Sequence, residues 1–142
     1  MPFFVAFNWA LNRPVDKSTA YRADAFPIDS PVDGLIDKFF HSSHANNEGY
    51  TYWLVYLVRP VLIGRVVVYD VSRYSSNKDV IIFDNNDRLQ NRRLCGTLPN
   101  MRYIENSTVT CSPPLYGQGV EIGKAGDHKL TLAEVEVYEF EG

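Results

Sequence analysis

The segment Leu130-Thr131-Leu132-Ala133-Glu134-Val135-Glu136-Val137-Tyr138-Glu139-Phe140 alternates side-chain character over eleven residues, with no helical spacing. A period of two sends successive side chains to opposite faces, so this segment predicts one half-buried strand with a single face on a core. Shorter stretches of the same kind recur at residues 53–57, 63–69, 80–83 and 120–122. β-branched and aromatic residues fill them, and clusters of Gly, Pro, Asn, Asp and Ser separate them. Internal repeats and low-complexity tracts are absent from the sequence. Short strands punctuated by turn signals, in 142 residues, predict one all-β domain spanning residues 1–142 and built as an antiparallel sandwich or jelly roll.

Composition narrows the function. Apolar residues make up 45% of the chain, enough to fill a core and to exclude wholesale disorder. Fourteen Lys and Arg face seventeen Asp and Glu, and the resulting formal charge of −3 argues against nucleic acid and anionic membranes as partners. The most apolar stretch, residues 60–69, is interrupted by Gly64 and Arg65 and has half the length of a membrane span. Residues 1–7 carry no basic stretch of the kind that opens a signal peptide, so the start reads as a mature or excised domain with an added Met1, or as a cytosolic protein.

Two cysteines, Cys95 and Cys111, are separated by fifteen residues, which fits neither a zinc spacing nor a redox motif. Buried free thiols and a disulfide are both open readings on that ground. Asn106-Ser107-Thr108, the one glycosylation sequon, lies between them and leans slightly towards the secretory pathway. The stretch from Asp16 to Gly49 is rich in Pro, Gly, Ser, Asp and Asn and shows little strand pattern. So long an irregular segment is usually functional or held by something, and an oxygen-liganded cation is one way to hold it. Enzyme signatures are missing: there is no Gly-x-Ser-x-Gly, no phosphate-cradling glycine loop before a helix, and no His-Glu-x-x-His. Arg88, Arg92 and Arg93 read as a solvated basic loop, and His41 and His44 as loop histidines too few for a zinc site.

The order of landmarks resembles that of the F-type lectins, the fucolectin branch of the discoidin-like domains. Asn8-Trp9-Ala10-Leu11-Asn12-Arg13-Pro14 with Lys17-Ser18-Thr19 resembles the family's opening. Val32-Asp33-Gly34, Ser42-Ser43-His44 and Tyr52-Trp53-Leu54-Val55-Tyr56-Leu57 resemble its Asp-Gly turn, its Cys-x-His element and its Trp strand. Cys95-Gly96, Cys111 with Gly117-Gln118-Gly119-Val120, and the Leu-x-Leu before Glu134-Val135-Glu136-Val137 complete the pattern. The resemblance implies a galactose-binding-domain-like jelly roll of about eight strands, secreted or extracellular, with a Cys95–Cys111 disulfide. It implies a lectin and not an enzyme, binding fucosylated or related glycans, as a possible oligomer or part of a larger protein. A discoidin-like adhesion domain that has lost the sugar is the alternative.

The same resemblance assigns residues. Ligand-binding positions are His44, Arg73, Lys78 and Tyr74, with His41 beside them. A structural calcium falls to Ser30, Asp33, Leu35, Ser42, Ala133 and Glu134, with Asp37 as a spare ligand. The chain departs from the family where Ser42 and Ala133 replace a cysteine pair, and where Tyr74-Ser75 replaces an adjacent-cysteine disulfide. Val71-Ser72-Arg73 stands over the family's Arg-x-Asp, so the first arginine is missing and Arg73 sits two residues late.

Overall fold

The structure is a computed structural model, and it describes residues 6–18, 28–35, 40–41, 50–70, 77–99, 106–125 and 130–142. Eight strands occupy these residues: β1 (Val15–Lys17), β2 (Phe40–His41), β3 (Tyr50–Tyr69), β4 (Lys78–Phe83), β5 (Arg93–Leu98), β6 (Asn106–Ala125), β7 (Thr131–Leu132) and β8 (Glu134–Glu139). Every pairing is antiparallel. The main sheet runs β1-β3-β6-β4-β5, β8 joins β3, and β2 pairs with β7 separately. Among the described residues the only helical piece is a 3-10 turn at Ser30–Val32, and no helix is long and apolar enough to cross a membrane.

Two strands of twenty residues organise the molecule. β3 and β6 pair along their lengths, with register shifts between Tyr56 and Val61 and between Ile63 and Arg65. Their first and last parts serve different neighbours. Residues 50–56 of β3 and 117–125 of β6 lie with β1, β4 and β5, whereas residues 63–69 and 106–115 lie with β8. Counting each long strand once per layer gives five strands over three, the expected sandwich. Side chains from both layers share one core, with Trp53, Val55, Val80, Ile82 and Ile122 meeting Ile63, Val66, Val68, Val135 and Val137. Removing such surface from water is the main term favouring the fold. At the second shift Gly64 lies so close to β8's continuation that an added Cβ would sit 2.8 Å from the Phe140 Cα.

The stretches expected as two strands, 53–57 and 63–69, are therefore one bent strand. Val58, Arg59 and Pro60 between them are exposed, which mimics a turn in the sequence. The closing segment departs in the opposite sense. It breaks at Ala133, whose N–H donates to the Tyr69 carbonyl at 2.8 Å, and the chain from Leu130 to Val135 is buried throughout. Alternation survives only beyond it, with Val135 and Val137 buried and Glu136 and Tyr138 half-buried. The opening does meet the closing strand: the Trp9 N–H reaches the Val137 carbonyl at 2.9 Å, and the Val137 N–H reaches Asn8 Oδ1 at 3.0 Å.

Arg88, Arg92 and Arg93 are not simply solvated. Arg88 and Arg92 fold onto fully buried Glu121 on β6, at 2.7 Å each, and Arg93 binds Asp84 at 2.8 Å. Burial alone would raise the Glu121 carboxyl, but hydrogen bonds from Arg92, Arg88 and the Tyr50 hydroxyl hold it below the usual carboxylate range.

Cys95 on β5 and Cys111 on β6 form the expected disulfide, inside the core and sixteen residues apart in sequence. Closing a loop of this length restricts the unfolded chain, and reduction is expected to cost about 3 kcal/mol. Thermal unfolding with and without reductant checks this, with a midpoint lower by roughly ten degrees expected. A midpoint moved by less than about two degrees would mean that the bond constrains little.

Candidate functional site

One end of the sandwich gathers several of the residues singled out from the sequence. β3 ends at Tyr69, Asp70 follows, and β4 begins at Lys78. Lys78 Nζ lies 3.1 Å from Asp70 Oδ2, and both side chains are fully buried. The Thr131 hydroxyl donates towards both Asp70 oxygens, at 3.1 and 3.0 Å. Thr131 belongs to β7 and is the register partner of His41 on β2. Backbone pairing and side-chain bonds thus tie the His41 strand to both feet of the segment between β3 and β4. Lys78, assigned from the sequence as a donor to sugar hydroxyls, is only 1% exposed and turns its ammonium to Asp70. Burial pulls its pKa down, and the Asp70 carboxylate opposes that. In the structure it is an internal ion-pair partner.

Next to this pair lies the group assigned to calcium. Glu134, the register partner of Tyr69, opens β8 and is 2% exposed. The 3-10 turn Ser30–Val32 brings Asp33 and Gly34 to it, and the Gly34 N–H donates to Glu134 Oε2 at 3.0 Å. Gly34 has φ +83°, a left-handed conformation that explains glycine after Asp33. Asp33 Oδ1 caps the turn by accepting from the Leu35 N–H at 2.8 Å. Glu134 Oε1 is buried and accepts no hydrogen bond among the described residues. Burial, with the Asp33 and Glu136 charges added and the Gly34 N–H opposing, pushes the Glu134 carboxyl up to about 8.

Two neighbouring carboxylates, one with an orphaned buried oxygen, need a proton or a cation to neutralise them. A hard cation takes about six to eight oxygen donors, and the Glu134 and Asp33 carboxylates meet here. Carboxylates supply only two of these donors. Among the described residues no three His, Cys, Asp or Glu side chains cluster as a metal site.

His44, Arg73, Tyr74, Ser42 and Asp37 lie outside the described residues, as does the Val71 departure, and His41 is described by its backbone alone. Sequence reasoning missed Asp70 and Thr131. Asp70 was legible only as the polar end of a strand, and Thr131 as one residue of an alternating one.

The sequence matches no family model and no curated protein. Solved structures do match the fold. A fucolectin from striped bass serum superposes with a TM-score of 0.80 at 20% identity, covering 94% of this chain and 47% of that one, so the chain spans about half its length. A fucose-binding module from Streptococcus pneumoniae gives 0.72 at 23% identity, with 95% and 99% covered. A chitosan-binding module of a Paenibacillus chitosanase/glucanase gives 0.77 at 18% identity, with 93% and 98% covered.

Proposed function

We propose that this chain, folded as F-type lectins and discoidin-like modules are, is a non-enzymatic carbohydrate-binding domain of extracellular location that recognises fucose-type sugars on glycans. The observation that carries the reading is the tie from His41 through Thr131 to Asp70 and Lys78. It brackets the β3–β4 segment and the strand leading to His44, the two stretches that hold the assigned sugar contacts. A neighbour of the same fold that is described as a fucose-binding module supports the choice of ligand. The disulfide is consistent with an oxidising compartment.

In this reading His44 accepts from one hydroxyl, Arg73 donates to others, and Tyr74 offers its ring to the apolar edge of the sugar. Lys78 and Asp70 support the pocket from below. A calcium ion held by Asp33, Glu134 and carbonyls of the turn supplies rigidity and does not touch the sugar. It fixes the end of the sandwich where Tyr69 pairs with Glu134.

Titration of L-fucose against wild type, Arg73→Ala and Val71→Arg tests the pocket. A charged donor to a hydroxyl contributes about 1.5–3 kcal/mol, so Arg73→Ala is expected to weaken binding tenfold or more. Binding untouched by Arg73→Ala puts the pocket elsewhere. Silence in wild type with binding restored by Val71→Arg favours the second reading, an adhesion domain that has given up the sugar. Val71 in place of the family's arginine, and a Lys78 ammonium turned inward, are what favour that reading.

A further inference from the structure

The opposite end of β4 carries a second arrangement suited to a sugar. β4 starts at Lys78 and ends at Phe83, so Asp84 lies about 20 Å along the strand direction from the Asp70–Lys78 pair, at about 3.3 Å per residue. Here the 84–92 turn and the bends of β3 and β6 enclose a depression of about 380 Å³. We propose that this depression, lined by Asp84, Asn85, Asn91, Arg93, Tyr116 and Gln118, is a second glycan subsite that takes a neutral hexopyranose. The proposal stands on its own geometry and does not depend on the loop pocket.

Charge, aromatic surface and unspent hydrogen-bonding groups all suit such a ligand. Asp84 and Arg93 neutralise one another across 2.8 Å, so the depression offers no net charge to attract an ionic ligand. Asp84 Oδ2 also accepts from Asn91 Nδ2 at 2.9 Å, and Asn85 Nδ2 donates to Gln90 Oε1 at 2.9 Å. These bonds fix the orientation of the carboxylate and of both amides. They leave Asn91 Oδ1, Asn85 Oδ1, Gln118 Oε1 and Arg93 Nη1 without a partner among the described residues. Acceptors and a donor held around one hollow match vicinal hydroxyls, each of which both gives and takes a hydrogen bond. Tyr116 is 56% exposed at its rim, a large aromatic on a rigid strand. Its ring can cover the C–H face of a pyranose, the apolar half of such a ligand. Asn85, Asn86 and Asn91 hold left-handed φ values of 59°, 61° and 50°, which give the turn its shape. With a pocket at each end, the sandwich would bridge two glycans, or two parts of one, and so gain avidity from two weak sites.

The test is a nuclear magnetic resonance titration of the intact, disulfide-bonded protein with methyl β-D-galactopyranoside and methyl β-D-glucopyranoside. At least one glycoside is expected to move the side-chain amide signals of Asn85, Asn91 and Gln118 and the ring signals of Tyr116. Tyr116→Ala, at an exposed position where folding is little affected, is expected to weaken that binding about tenfold. Absence of shifts at this end with both glycosides, or unchanged affinity in Tyr116→Ala, overturns the subsite. L-fucose in the same experiment is followed through Thr131 and Lys78, so failure of the loop pocket is read separately from failure of this one.

Discussion

Replacing Asp70 by alanine is expected to lower stability by about 3–5 kcal/mol, because it strips a buried ammonium of its carboxylate. Lys78 and Asp70 have no exposed side-chain surface, and the Thr131 hydroxyl gives its hydrogen to the same carboxylate. Alanine leaves the Lys78 charge desolvated and takes away Thr131's acceptor in one step. Two further measurements separate this cause from a cavity. Lys78 has its pKa lowered by burial, so the folded state binds fewer protons than the unfolded state as pH approaches the ordinary lysine value of 10.5. Stability gained through that group therefore rises with pH towards that value, and it rises further in Asp70→Ala, where the Asp70 carboxylate no longer opposes the loss of the proton. Asp70→Leu combined with Lys78→Met removes both charges and is expected to recover most of the deficit. A single variant that melts within a few degrees of wild type, or a double variant that is no better than Asp70→Ala, would show that the pair is not what holds this end together.

How much of this was legible beforehand depends on how local each determinant is. The strands around Trp53, Ile63, Val80 and Val120 announce themselves because alternation is a property of neighbours in sequence. The bend joining two of them is hidden, since Arg59 and Pro60 look the same in an exposed bend as in a loop. The break at Ala133 is hidden for a related reason. Glu134 faces a carboxylate-bearing turn one hundred residues away, and nothing near it in sequence reports that. The partners of charged residues are the least legible. Lys78, assigned through the resemblance to a ligand, has its partner Asp70 eight residues back across the β3–β4 segment, and no spacing rule pairs the two. Arg88 and Arg92 look like a basic loop because Glu121, which they bind, is 33 and 29 residues away. The Cys95–Cys111 bond and the Asp33–Glu134 meeting were legible only through the resemblance, which carries three-dimensional neighbours that spacing cannot. His44, Arg73 and Tyr74 rest on that resemblance still.

In the absence of a divalent cation, stability is expected to fall as pH rises from about 4.5 to about 8, and calcium is expected to reverse the trend. The carboxyl of Glu134 stands at about 8 in the folded protein against an ordinary value of 4.5. Between these values the folded state keeps a proton that the unfolded state has released, so each pH unit costs up to about 1.4 kcal/mol until the group ionises in both states. A cation between Asp33 and Glu134 needs the ionised carboxylates and expels that proton, so its affinity climbs with pH through the same window. Chelation should therefore matter least near pH 5 and most near pH 8. At a free calcium concentration about a hundredfold above its dissociation constant the stabilisation is about 2.7 kcal/mol. Glu134→Gln cannot ionise, and it is expected to flatten the pH slope in chelator and to remove the calcium response. Asp33→Asn keeps the turn's capping acceptor and should weaken the calcium response while leaving the Glu134 slope in place, shifted to lower pH because one repelling charge is gone. Thermal midpoints for the three proteins across this pH range, in chelator and in calcium, decide the matter. Identical midpoints in chelator and calcium at pH 8 remove the cation from the site, and a pH slope surviving in Glu134→Gln places the titrating proton on another group.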